Sequence, residues 1–166
     1  MPTRHRFTAA EGYTVGELLH YGFDHISSAR YLLVRSATYF DSAGYLAHIG
    51  VELILKAWHL EALGHFENTH NLQELWRVLV KQSGVKKLSK DGSRTLALLD
   101  TYEHLRYPNP SNPIEIGSEH VAKVNALVEA LWRRMPDALL LAYDGIDPLK
   151  KGGRVLMKRP KNYRGK

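Results

Sequence analysis

From Tyr39 to Gly64 the chain reads YFDSAGYLAHIGVELILKAWHLEALG. Apolar residues recur here at helical spacing along two seams. One seam is Phe40, Ala43, Ala47, Gly50, Val51, Ile54 and Trp58; the other is Leu46, Ile49, Leu53, Leu60 and Leu63. A surface helix needs a single apolar stripe, so two stripes predict a helix covered on two sides at the centre of a bundle. Between them runs a polar stripe of Asp41, Tyr45, His48, Glu52, Lys56 and His59. Gly44 and Gly50 each cost about 1 kcal/mol of helix propensity against Ala, which close approach of another helix explains. Gly64 suits a left-handed C-terminal cap.

Before this helix, Thr14 and Glu17 form a capping box. A first helix follows to about Arg35, with Leu19, Phe23, Ile26, Ala29 and Leu33 on one face. After it, Asn71 and Glu74 open a third helix with Leu72, Leu75, Trp76 and Leu79 behind them, ended by Gly84. Lys86 to Ser93 reads as a polar loop, and a fourth helix is predicted over Ser93 to Arg106, burying Leu96, Leu99, Tyr102 and Leu105. Pro108 disfavours helix at Tyr107, so residues 108–113, with three prolines, form a loop. Ser118 starts a last long helix through Val121, Val124, Val128, Leu131 and Met135, interrupted by Pro136 before Ala138 to Tyr143. No segment alternates with period two. The expectation is an all-α antiparallel bundle of four main helices and one shorter helix over residues 14–143. An N-terminal arm (1–13) precedes it and a flexible basic tail (144–166) follows.

Length and composition set bounds on function. The 166 residues suit one domain with a core. With no cysteine there is no disulfide framework, thiolate metal site or cysteine nucleophile. No apolar run is long enough to span a bilayer and no secretory signal opens the chain, so a cytoplasmic protein without membrane association is expected. The net charge of +6 is uneven: Lys150, Lys151, Arg154, Lys158, Arg159, Lys161, Arg164 and Lys166 carry +8, leaving −2 for the rest. Such a tail is either a solvated terminus or a phosphate-binding arm for nucleic acid.

Several side chains stand out as candidates. Glu52 and Lys56 are an i, i+4 pair. Glu52 also lies between apolar seams, where burial would demand a partner such as Arg106. His48 could join Glu52 and His59 on a metal, but no second helix offers matching ligands, so no metal or cofactor is expected. Arg106, next to Tyr107 and a rigid loop, can present a guanidinium to phosphate. His70 and Asn71 stand at a helix start. Trp58, Trp76 and Trp132 read as core.

Three of these segments, in order, resemble the HEPN family of small prokaryotic helical domains. The second helix of that family carries a Glu followed four residues later by Lys-Ala, as in Glu52 and Lys56-Ala57. Its third helix opens with His-Asn-Leu or His-Asp-Leu, matching His70-Asn71-Leu72, and its fourth ends in Arg-Tyr-Pro, matching Arg106-Tyr107-Pro108. The resemblance covers about residues 15–142. It implies a toxin–antitoxin or defence-type domain, dimeric, paired with a small nucleotidyltransferase antitoxin, that binds RNA or nucleotide. It implies metal-independent ribonuclease chemistry at Arg106 and Glu52, with Tyr107, His70, Asn71 and Lys56 as binding residues. The chain departs from the ribonuclease-type members, which place a His four to six residues beyond the Arg. Here the next His after Arg106 is His120. Catalysis and a non-catalytic dimeric nucleotide- or protein-binding role therefore both stay open.

Overall fold

The computed structural model describes residues 5–106, 111 and 116–145, with the backbone alone for Glu103, Leu105 and Arg106. The long central helix, α2 (Phe40–Leu63), packs most extensively against α1 (Val15–Leu33). Thr14 caps α1 by accepting the Glu17 amide at 3.3 Å. The close approach expected at the glycines is present. A methyl group on Gly50 would sit 2.8 Å from the Gly22 carbonyl oxygen, and one on Gly22 would sit 2.9 Å from the Gly50 oxygen. The two backbones therefore touch where they cross. Gly44 leaves room for the ring of Tyr102, which is fully buried against it.

After Gly64 the chain does not pass directly into the next helix. His65–Glu67 forms a strand, β2, paired antiparallel with Arg6–Thr8, β1, with Phe7 opposite Phe66. The rings of Phe7, Tyr13 and Phe66 cluster, with centroids 5.2–5.4 Å apart. This ribbon lies partly in the segment read from sequence as an arm. Strands of three residues are too short for alternation to register, and so the pattern reading missed them. β2 carries the chain back alongside α2, so that His70, just before α3 (Leu72–Gln82), lies beside Glu52 in the middle of α2.

The fourth helix differs from its expected bounds. α4 spans Lys90–Asp100, because the Ser89 hydroxyl accepts the Gly92 amide at 3.1 Å and starts the helix before Ser93. From Thr101 to Arg106 the backbone tightens into 3₁₀ turns. The Thr101 hydroxyl donates to the Leu98 carbonyl at 2.6 Å just where the change begins. Next, α5 spans His120–Trp132 rather than starting at Ser118, after a turn in which the Gly117 amide donates to His120 Nδ1 at 2.9 Å. Pro136 separates it from α6 (Asp137–Asp144), as the sequence predicts.

The core joins all six helices among the described residues: Leu19, Ile26, Ile54, Leu55, Trp58, Leu75, Leu99, Leu131 and Leu139 are buried. Trp58, Trp76 and Trp132 are core residues, as expected. The end of α6 is tied to α1 by His20, whose Nε2 donates to the Tyr143 carbonyl at 2.7 Å while the two rings stack. Tyr107, the proline-rich loop (108–113) except Ser111, and the basic tail with Lys150, Lys151, Arg154, Lys158 and Arg159 lie outside the described residues. No described helix is long and apolar enough to cross a membrane.

Candidate functional site

From His48 to His59 the polar stripe of α2 is more deeply buried than most of one of its apolar seams. His48 is 1% exposed, Glu52 6%, Lys56 6% and His59 3%. Leu46, Ile49, Leu53 and Leu63 are only half-buried. Buried charge persists only where it is paired and hydrogen-bonded, and the stripe meets that condition residue by residue.

Glu52 is the centre. Lys56, one turn on, donates from Nζ to Oε1 at 2.6 Å. His70 Nδ1 lies 3.1 Å from both carboxylate oxygens. His48, one turn back, brings Nε2 to 3.4 Å from Oε2. Its Nδ1 is committed to the Leu99 carbonyl on α4, at 2.9 Å. Burial by itself would raise the Glu52 carboxyl. The hydrogen bond from His48, the Lys56 ammonium and the hydrogen bond from His70 outweigh it and lower the carboxyl to about 2. Glu52 is thus a carboxylate throughout the neutral range, surrounded by three basic side chains.

Local sequence explains how His70 reaches Glu52. Strand β2 returns the chain along α2, and Phe66 roofs the lysine, with the Lys56 ammonium 5.5 Å from its ring centroid. Thr69 Oγ1 accepts the Asn71 amide at 3.2 Å. Asn71 Oδ1 caps α3 by accepting the Glu74 amide at 2.7 Å. The Leu72 amide goes to Asp100 Oδ1, at the end of α4, at 2.6 Å, and Gln73 reaches the other oxygen at 3.1 Å. The α3 start is therefore pinned from α4, and at least two of its amides are already used. His70 is less covered than its neighbours: 32% of its side chain is exposed.

His59 belongs to the stripe but serves α3. Its Nε2 donates to the Leu75 carbonyl at 2.9 Å. Burial pushes its pKa down against the opposing effect of that hydrogen bond, so it is neutral at neutral pH.

The structure thus brings together Glu52, Lys56 and His70, with Asn71 adjoining them as a cap. Arg106, named from sequence as a partner for Glu52, ends the 3₁₀ segment, and its side chain lies outside the described residues. The segment leading to it starts beside His48, through Leu99, and passes Gly44 at Tyr102, towards the N-terminal half of α2. His104 is exposed. Two participants escaped the sequence reading. His48 was noticed only for a metal, and Asp100 had no role. Asp100 was hardest to find, because a carboxylate that caps a helix remote in sequence leaves no local spacing signal.

A family model described as HEPN domain matches residues 15–135, which takes in α1 to α5 and the whole Glu52 cluster. No curated protein and no solved structure matches the chain.

Proposed function

Because the chain belongs to the HEPN domain family, we propose that it is the RNA-binding component of a toxin–antitoxin or defence-type system. The observation that supports this best is the Glu52 cluster. A buried carboxylate surrounded by basic groups has one of them, His70, a third exposed at the protein surface. In this reading Arg106 clamps phosphate and Tyr107 stacks on a base. His70 faces the ribose–phosphate chain, Lys56 holds Glu52 in place, and Asn71 shapes the edge of the site. The tail lysines and arginines supply sequence-independent attraction to the polyanion. The domain acts as a homodimer in the cytoplasm and is neutralised by a small nucleotidyltransferase-type antitoxin. The half-buried seam of Leu46, Ile49 and Leu53 supports the dimer as apolar surface left over by the bundle.

Fluorescence anisotropy with a labelled single-stranded RNA tests this reading. Binding that disappears in Arg106→Ala, with the melting temperature kept, is expected, along with growth arrest on overexpression that the same substitution relieves. Light scattering should give a dimer at micromolar concentration.

A second reading is a non-catalytic dimeric module for a nucleotide or protein ligand. It is favoured by the lack of any His between Arg106 and His120. A nucleotide-dependent rise in melting temperature without RNA binding or toxicity would select it.

A further inference from the structure

We infer that a cavity at the C-terminal end of α2 binds the ammonium group of a free, short primary alkylamine, with His59 as its buried acceptor. This goes beyond the RNA-binding reading and does not depend on it.

The cavity lies between the last turns of α2, the β1–β2 ribbon and α3, and has a volume of about 140 Å³. At roughly 30 Å³ for each water-sized group, that is room for an ammonium and about three or four methylenes. His59 lines it from α2, although that residue is only 3% exposed. Its Nε2 carries the proton given to the Leu75 carbonyl, so in the neutral ring Nδ1 holds a lone pair. Burial favours that neutral ring. No hydrogen bond or ion pair to Nδ1 exists among the described residues. A buried acceptor in this position calls for a donor. His65, which lines the cavity from β2, repeats the arrangement. Its Nδ1 donates to the Leu63 carbonyl at 3.0 Å, which leaves Nε2 as an acceptor.

Charge decides which donor fits. Glu67 from β2 and Glu74 from α3 line the cavity, against a single cation, Arg6. Arg6 stands 3.8 Å from Glu67, with 63% of its side chain exposed. The negative end of the α2 dipole adds to the two carboxylates, and the last turn of that helix carries no basic side chain to offset it. The cavity therefore favours a cation over an anion. Among the described residues no three histidine or carboxylate side chains gather closely enough to hold a metal ion. The two histidine acceptors thus suit a cation that brings its own protons. No described phenyl, phenol or indole ring lines the cavity, so recognition is by hydrogen bonds and not by the ring faces that hold quaternary ammonium groups. Leu63, Leu75 and Val78 supply apolar wall for methylenes. A primary alkylammonium meets each of these conditions. It donates to His59 Nδ1, its charge is balanced by Glu67 and Glu74, and its alkyl stem lies on the leucines and the valine.

The test uses the full chain with n-butylammonium chloride as the probe, at about pH 8, where histidine is neutral and the amine is charged. Isothermal titration calorimetry should give one saturable site per chain. In long-range ¹⁵N NMR the His59 Nδ1 resonance should move upfield during the titration, as a lone pair taking up a hydrogen bond, while Nε2 keeps its proton. Tetramethylammonium chloride has the charge but no N–H, and should neither bind nor move that resonance. Val78→Phe fills the apolar wall from a half-buried position and leaves the His59 hydrogen bond alone, so it should abolish binding. Glu74→Gln should weaken binding about tenfold, the scale of one hydrogen bond to a charged group. Should Val78→Phe not fold, the wild-type His59 resonance decides. Nα-acetyl-lysine methylamide, which presents the same ammonium on a bulkier body, should bind more weakly than n-butylammonium. Tighter binding of the lysine derivative would assign the cavity to a side chain of a partner protein and overturn the free amine. No saturable heat, an unmoved His59 resonance, equal binding of tetramethylammonium, or wild-type affinity in Val78→Phe would each overturn the inference and leave RNA binding standing.

Discussion

Glu52 and His70 lie 18 positions apart in sequence, yet His70 Nδ1 is 3.1 Å from both oxygens of the Glu52 carboxylate. The contact exists because β2 returns the chain along α2 before α3 starts. It makes the middle of the central helix sensitive to acid. The Glu52 pKa is lowered from 4.5 to about 2 in the folded state, so the unfolded chain takes up the proton first as pH falls. Its contribution to stability is fully present above about 4.5 and is lost as pH falls through about 2. Urea melts between pH 6 and pH 2 should show a loss on the order of 3 kcal/mol. Glu52→Gln should flatten that dependence.

Removing the carboxylate should cost more than removing the lysine. Glu52→Ala leaves Lys56 buried without its counter-charge, a loss of about 3–5 kcal/mol. In Lys56→Met, Glu52 keeps His48 and His70, so the loss should be smaller. Thermal or urea unfolding of the two variants gives the comparison. Equal losses would mean that the histidines do not hold the carboxylate.

Gly44 is required by Tyr102. A methyl group there would run into the tyrosine ring, so Gly44→Ala should destabilise by about 1–3 kcal/mol despite its better helix propensity. Gly44→Ala combined with Tyr102→Leu should recover part of the loss. A Gly44→Ala protein as stable as wild type would mean that the 3₁₀ segment can shift away from α2.

Asp100→Ala should loosen the start of α3. Losing the acceptor for the Leu72 amide should cost about 1–2 kcal/mol. The His70 ring resonances should move as well, because the same turn carries both residues. Asp100→Asn retains an oxygen for the amide and should be milder. Unmoved His70 resonances in Asp100→Ala would show that Asn71 and Thr69 alone fix the turn.

Deleting residues 149–166 removes +8. The melting temperature should hold, and RNA affinity should drop with a shallower dependence on salt, since fewer counterions are released. An unchanged salt slope would assign the tail no part in binding.

The helical frame was readable from sequence because its signals are local. The two seams of α2, the Thr14 and Asn71 caps and Pro136 each act within a turn or two of themselves. The polar stripe was readable as a stripe, but its burial was not. Whether His48, Glu52, Lys56 and His59 face water depends on β2, α3 and α4, which arrive from elsewhere in the chain. The same limit applies to Asp100 at the Leu72 amide and to β1 against β2. In each case one partner carries no mark of the other. Glu52 was expected to need a partner, and it has three, the basic side chains of His48, Lys56 and His70.

The β1–β2 ribbon gives the first few residues a reach well beyond their size. Phe7 stacks on Phe66, Phe66 covers Lys56, and Lys56 holds the carboxylate that holds His70. Strand β1 is thus the outermost link of a mechanical series that ends at the histidine. A substitution at Phe7 therefore acts on the His70 ring without touching it.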